Sequence, residues 1–136
     1  MLNRHTLIFS LVAASLLFSV GQVLAAPPVV EIVAMPHPPV KAALSQLREW
    51  LAAQGKQITV KDIDSESADG IKRMQSVGLS GHIPVLILID GQYRVKRKDG
   101  STVEFVNFPN QSNTPAGARG SWATTDVQAV LAEKIK

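Results

Sequence analysis

No polar or charged side chain occurs in the seven consecutive residues from Ile83 to Ile89. Because successive side chains of a strand point to opposite faces, a run without alternation is typical of a strand covered on both faces. Pro84 is compatible with this, since proline is tolerated at the first position of a strand. We therefore expect a central strand of an α/β domain to begin at this proline.

A second apolar run, residues 29–34, predicts another buried strand. It is stopped by three prolines within residues 36–39, which cannot lie inside a strand ladder but suit the first turn of a helix. Residues 40–54 then predict a helix, and Gly55 follows as a C′ residue. Its apolar residues lie on one stripe: Val40, Leu44, Leu47 and Leu51.

Residues 57–63 alternate and predict a further strand. Ser65 or Ser67 can cap a short helix through Ser76, whose inner face we expect to contain Ile71 and Met74. A last helix is expected from Thr124 or Thr125, as its cap, to about residue 135. Its buried stripe would consist of Val127, Val130 or Leu131, and Ile135.

Two Asp-Gly pairs, at residues 90–91 and 99–100, indicate an antiparallel meander after the central strand. A three-residue loop with left-handed Gly100 would place Val95 opposite Val103 and Arg94 opposite Glu104. A two-residue loop would instead pair apolar with charged side chains. The first register is preferred because it keeps apolar residues together.

Residues 1–25 have the pattern of a secretory signal peptide: Arg4, an apolar run over residues 7–20, and a small-residue exit before Ala26. Cleavage after Ala25 or Ala26 would leave one domain, residues 26–136, in the periplasm or secreted, with no stable membrane insertion. Removing Arg4 lowers Lys plus Arg from 14 to 13 against 11 Asp plus Glu, a net charge of +2. So small a charge gives little steering toward nucleic acid.

The chain contains no cysteine. This excludes disulfides, thiolate nucleophiles, Cys-ligated zinc and iron–sulfur clusters. No catalytic constellation of another kind stands out, since no serine has a nucleophile-elbow context. We therefore expect a protein that is not an enzyme, has no required cofactor, and holds together by packing alone.

The predicted order β–α–β–α–β–β–(β)–α, over residues 29–136, resembles the thioredoxin fold, and two motifs add to the likeness. Where that family has Cys-x-x-Cys at a helix start, often with Pro third, this chain has His37-Pro38-Pro39-Val40. A Gly-rich turn before a cis-proline and an apolar strand is similar to residues 77–87, with one extra residue between Gly81 and Pro84. The resemblance implies a central mixed sheet flanked by helices, with a hairpin before the C-terminal helix.

Because the departures fall on the redox cysteines, the family's oxidoreductase chemistry does not carry over. The family's binding groove, where the helix-start turn faces the proline turn, remains as an expectation. We therefore predict a protein- or peptide-binding or accessory module of the cell envelope. Its partner-binding residues would be His37, Pro38, Pro39, His82, Ile83 and Pro84, with the polar loop 110–120 extending the groove. The alternative for these turns is a structural role with no ligand.

A metal site is the competing prediction from the same turns. The fold would bring together His37 and His82, with Met35 close by, and imidazole and thioether ligands suit copper, particularly Cu(I). The alternative is two exposed loop histidines and a methionine that fills the core.

The basic residues 94–98 are interpreted as a solvated edge hairpin rather than a nucleic-acid surface, because stacking aromatics are scarce around them.

Overall fold

The computed structural model describes residues 25–135, so the predicted leader, apart from Ala25, lies outside the described residues. The strands are β1 Val29–Ala34, β2 Thr59–Asp64, β3 Val85–Ile89, β4 Arg94–Lys96 and β5 Thr102–Glu104. The helices are α1 Pro38–Ala53, α2 Ala68–Ser76 and α3 Thr124–Lys134, with short 3-10 turns at Gly55–Gln57 and Ala116–Ala118. The chain is therefore of mixed α/β class, as the sequence pattern predicts.

The main sheet has the order β2-β1-β3, with β1 parallel to β2 and antiparallel to β3. On its far side β3 meets the residues after β5, because the Ile87 N–H donates to the carbonyl of Phe105 at 3.0 Å and Leu86 bridges Val106. All five residues of β3 are buried. The expected strand covered on both faces is confirmed, although it starts at Val85, one residue after Pro84.

Helices cover both faces of this sheet. On one face, α1 and α3 pack with β1 and β3 around Phe105 and Trp122, whose rings meet edge to face at 5.9 Å. On the other face, Met74 of α2 packs in one buried cluster with Val33 of β1 and with Leu86 and Leu88 of β3. The predicted α1 stripe is confirmed, because Val40, Leu44, Leu47 and Leu51 are all buried.

Two element starts differ from the sequence prediction. Helix α1 begins at Pro38, two residues before Val40, with His37 as its N-cap. Helix α3 is capped at Ala123 rather than at a threonine, because the carboxylate of Asp126 reaches back and accepts the Ala123 N–H at 2.8 Å. A carboxylate three residues into a helix can satisfy the backbone donor at its start.

The predicted inner face of α2 is wrong at Ile71, which is 48% exposed. Gly70 is buried instead, and a Cβ on it would overlap the carbonyl oxygen of Asp64. The helix therefore approaches the end of β2 through a glycine, which turns Ile71 outward. Of the two serines expected to cap this helix, Ser67 is the N-cap, since its hydroxyl accepts the Gly70 N–H at 3.0 Å.

The hairpin register is confirmed. Val95 lies opposite Val103 and Arg94 opposite Glu104, with 2.6 Å between the Arg94 Nε and a Glu104 oxygen. Gly100 has a φ of 85°, the left-handed conformation that the three-residue loop requires. The hairpin forms a sheet of its own, and the chain returns to the edge of β3 after Glu104.

Candidate functional site

The turn after β1 and the turn before β3 lie side by side. Since the two strands are antiparallel neighbours, Ala34 at the end of β1 pairs with Val85 at the start of β3. One residue further, the Met35 N–H donates to the carbonyl of Pro84 at 3.0 Å. The sheet register thus brings the helix-start turn next to the proline turn.

A cleft of about 390 Å³ opens where these turns meet, and we call it the histidine cleft. It is lined by Met35, His37, Pro39, Val40, His82, Pro84, Asn107, Phe108, Gly117 and Ala118. The structure therefore brings together five of the seven residues that the sequence nominates. The two others do not line it: Pro38 is exposed at the start of α1, and Ile83 packs against the sheet face that α2 covers.

Asn107 and Phe108 line the histidine cleft without having been predicted to do so. Asn107 has a φ of 69°, and its backbone is held on both sides: its N–H donates to Val85 at 2.8 Å, and its carbonyl accepts the Trp122 indole N–H at 3.1 Å. Asparagine is one of the few residues that tolerate this conformation. An Asn between apolar residues after a strand was the available signal, but nothing in the local sequence indicates that it lines the same cleft as His37.

A second cleft of about 210 Å³ adjoins the first, and we call it the loop cleft. It is lined by Pro39, Ala42, Ala43, Phe108, Gln111, Asn113, Thr114 and Pro115. Pro39 and Phe108 line both clefts and so form a shared wall. Four residues of the polar loop 110–120 line this cleft, and Gly117 and Ala118 of the same loop line the histidine cleft.

Hydrogen bonds give this loop a defined shape. The Arg119 Nε donates to the carbonyl of Thr114 at 2.6 Å, and its Nη2 donates to that of Ser112 at 3.2 Å. At the end of the loop, the Gly120 N–H donates to the carbonyl of Phe108 at 2.7 Å. The wall of the loop cleft is thus tied to the strand-like segment that carries Phe108.

Charge is nearly absent from both clefts. Their linings include no Lys, Arg, Asp or Glu, and the two histidines are their only titratable side chains. His37 lies at the margin, with 3.2 Å between its Nε2 and an oxygen of Glu66, and both side chains are about half exposed. The arrangement suits an apolar ligand that is held by a few hydrogen bonds rather than a charged ligand.

The basic hairpin is largely neutralised by its neighbours. Arg94 pairs with Glu104, Arg97 with Asp126 at 2.7 Å, and Lys98 with Glu133 at 3.4 Å. These ion pairs occupy guanidinium and ammonium groups that a polyanion would otherwise contact.

Two further observations bear on ligands and membranes. Within residues 25–135, no group of three His, Cys, Asp or Glu side chains is placed to hold a metal ion. Across the same residues, each helix is too short or too polar to cross a bilayer.

The comparisons with known proteins return nothing: no family model, curated protein or solved structure matches this chain. One feature of the thioredoxin resemblance is also missing. All peptide bonds of residues 25–135 are trans, including the bond before Pro84, where the family has a cis bond.

Proposed function

We propose that this chain is an exported, redox-inactive domain of thioredoxin-like fold that binds a protein or peptide partner in the cell envelope through the histidine cleft. Without cysteine, the chain has no thiol for redox catalysis, so binding rather than an enzymatic reaction is the proposed activity. The βαβ unit, the antiparallel strand after it and the closing helix support the fold assignment.

One observation carries the binding proposal. Two proline-containing turns, separated by more than forty residues in the sequence, meet at a single cleft lined by apolar residues together with His37, His82 and Asn107. Pockets that bind small molecules or side chains usually have this composition. The backbone hydrogen bond from Met35 to Pro84 holds the two turns next to each other.

The test is to probe a peptide array with the purified chain and with an occluded variant. Gly117 lines the cleft and a Cβ there would meet no atom within 4 Å, so we expect Gly117→Leu to add a bulky side chain at the cleft without a clash at its Cβ. Ala53→Leu, at the exposed end of α1, is the matched control. We expect Gly117→Leu to lose at least tenfold in affinity and the control to lose none. An array without any bound peptide, or equal binding by both variants, would refute the proposal.

Copper is the second candidate ligand, favoured by the placement of Met35, His37 and His82 around one cleft. Imidazole nitrogens with a thioether sulfur form a donor set that suits Cu(I). Anaerobic titration with Cu(I) should then give a Kd tighter than about 1 μM, lost in the double variant His37→Ala/His82→Ala. Weaker binding, or binding that survives the double substitution, would remove copper and leave the peptide proposal intact.

A further inference from the structure

We propose that the histidine cleft and the loop cleft together bind one extended peptide segment. Apolar side chains at positions i and i+2 would occupy the two clefts, and the side-chain amide of Asn107 would hydrogen-bond the peptide backbone. This inference rests on the proposed function and specifies its ligand.

The spacing follows from the wall that the clefts share. Pro39 and Phe108 line both, so the two clefts adjoin each other. In an extended peptide, residues i and i+2 point the same way and lie about 6.5–7 Å apart. Residues i and i+2 are thus the nearest pair that can enter two adjoining clefts from the same side of the peptide, whereas residues i and i+1 point in opposite directions.

Charge supports the choice of an uncharged apolar ligand. Neither lining includes Lys, Arg, Asp or Glu, so an anchor carrying Lys or Glu would lose hydration without a carboxylate, ammonium or guanidinium group of the lining to replace it. By contrast, the cleft between the hairpin and α3 is lined by Lys96, Lys98, Asp126 and Glu133 among others. The histidine cleft and the loop cleft thus differ from this charged cleft in the ligand that they suit.

Asn107 supplies the means to recognise a backbone. Within the part of the chain that the structure describes, its hydrogen bonds are made by its backbone N–H and carbonyl, which leaves the carboxamide available at the cleft. A carboxamide offers one acceptor and two donors, a set that complements a peptide group. Its left-handed backbone is fixed by hydrogen bonds to Val85 and Trp122, which sets where Asn107 stands in the lining.

The ligand side is tested with capped nonapeptides of Gly and Ser that carry two Leu at spacings of one, two or three residues. We expect the i, i+2 peptide to bind at least fivefold tighter than the others by fluorescence anisotropy, and replacement of either Leu by Lys or Glu to abolish binding. Scanning N-methylation should reveal one backbone amide whose methylation weakens binding.

The protein side is tested with Asn107→Gly and Ala42→Leu. Glycine accepts the positive φ and keeps the backbone bonds, so Asn107→Gly removes only the carboxamide. This variant should bind the i, i+2 peptide about three- to tenfold more weakly, as expected for the loss of one hydrogen bond, and its melting temperature should be unchanged. Methylation of the backbone amide that matters for the wild-type chain should have no effect on binding by this variant. Ala42 is exposed in the loop cleft, so Ala42→Leu should remove the benefit of the second anchor, whereas Ala53→Leu should not.

The outcomes separate the two proposals. If peptides bind and Gly117→Leu blocks them, but spacing has no effect or Asn107→Gly and Ala42→Leu bind as the wild type does, the paired-cleft inference is wrong and the binding function stands. If no peptide of any spacing binds the wild-type chain, both proposals are wrong.

Discussion

Gly70 lies inside α2, at the point where the helix meets the carboxyl end of β2. A Cβ at this position would overlap the carbonyl oxygen of Asp64 and lie 2.7 Å from the Cα of Ser65. Both obstacles are backbone atoms, which cannot turn away as a flexible side chain does. Glycine is therefore required here by close approach, although its φ is ordinary.

We expect Gly70→Ala to destabilise the protein by about 2–3 kcal/mol, because backbone must move to admit the methyl group. Helix propensity alone predicts the opposite sign, a gain of up to about 1 kcal/mol. Gly117→Ala is the control, since a Cβ there meets no neighbour, and it should be neutral or slightly stabilising. The free energy of unfolding in urea measures both. A stabilised Gly70→Ala variant would contradict the close packing of α2 on β2.

Single residues also mark the limit of sequence reasoning. The turns that contain His37, His82 and Pro84 could be located from the prolines and the apolar run, but these residues were nominated as one site through the thioredoxin resemblance. Ile71 was assigned to the core by its periodic position, but the tight approach at Gly70 reverses its exposure. Asn107 was missed because its role depends on hydrogen bonds to Val85 and Trp122, which lie 22 and 15 residues away in the chain.

The first turn of α3 is held by a single carboxylate. Asp126 accepts the Ala123 N–H at 2.8 Å and pairs with both the Nε and the Nη2 of Arg97, at 2.7 and 3.1 Å. Its side chain is only 18% exposed. Bidentate, partly buried pairing of this kind is stronger than an exposed surface pair. Asp126 thus joins the start of a helix to the hairpin.

Asp126→Asn should lower the free energy of unfolding by about 1–2 kcal/mol, since it removes the charge from both the cap and the pair. Glu133→Gln on the same helix is the control, because its pair with Lys98 is exposed and long at 3.4 Å. The control should cost less than about 0.5 kcal/mol. Equal losses in the two variants, measured by urea denaturation, would show that the cap and the pair add nothing beyond a surface charge.

Elements were more predictable than their ends. The hairpin register followed from keeping Val95 and Val103 together, since a one-residue slip would place a charge against a valine. Helix α3 was found by its apolar spacing, but its cap was assigned to Thr124 or Thr125. The local sequence favours a threonine hydroxyl, whereas the actual cap depends on Asp126 being held from the other side by Arg97.

At the scale of the whole molecule, the candidate site is a consequence of strand order. β1 and β3 are adjacent and antiparallel, which places residue 35 beside residue 84. Sequence patterns identified both strands but not their adjacency, which entered only through the thioredoxin resemblance. The loop cleft was still less predictable, because its wall requires the 108–118 segment to fold back onto α1.

Two aspartates join distant parts of the molecule. The Val29 N–H at the start of β1, and then Lys134 at the end of α3, hold the pKa of Asp90 below its usual value. Hydrogen bonding to Arg97 is the largest cause of the lowered pKa of Asp126. Together they connect the first strand, the turn after β3, the hairpin and the last helix.

These pKa shifts predict how stability depends on acid. A carboxyl whose pKa is lower in the folded state stabilises the fold above its unfolded pKa, near 3.8, and this contribution is lost as the pH falls through the folded pKa. We therefore expect the urea midpoint to be insensitive to these groups between pH 5 and pH 7, and to drop below about pH 4. The double variant Asp90→Asn/Asp126→Asn should be less stable at pH 6 but should lose less than the wild type on going to pH 3. Equal losses would place the acid sensitivity in other carboxyls and refute the role of these two.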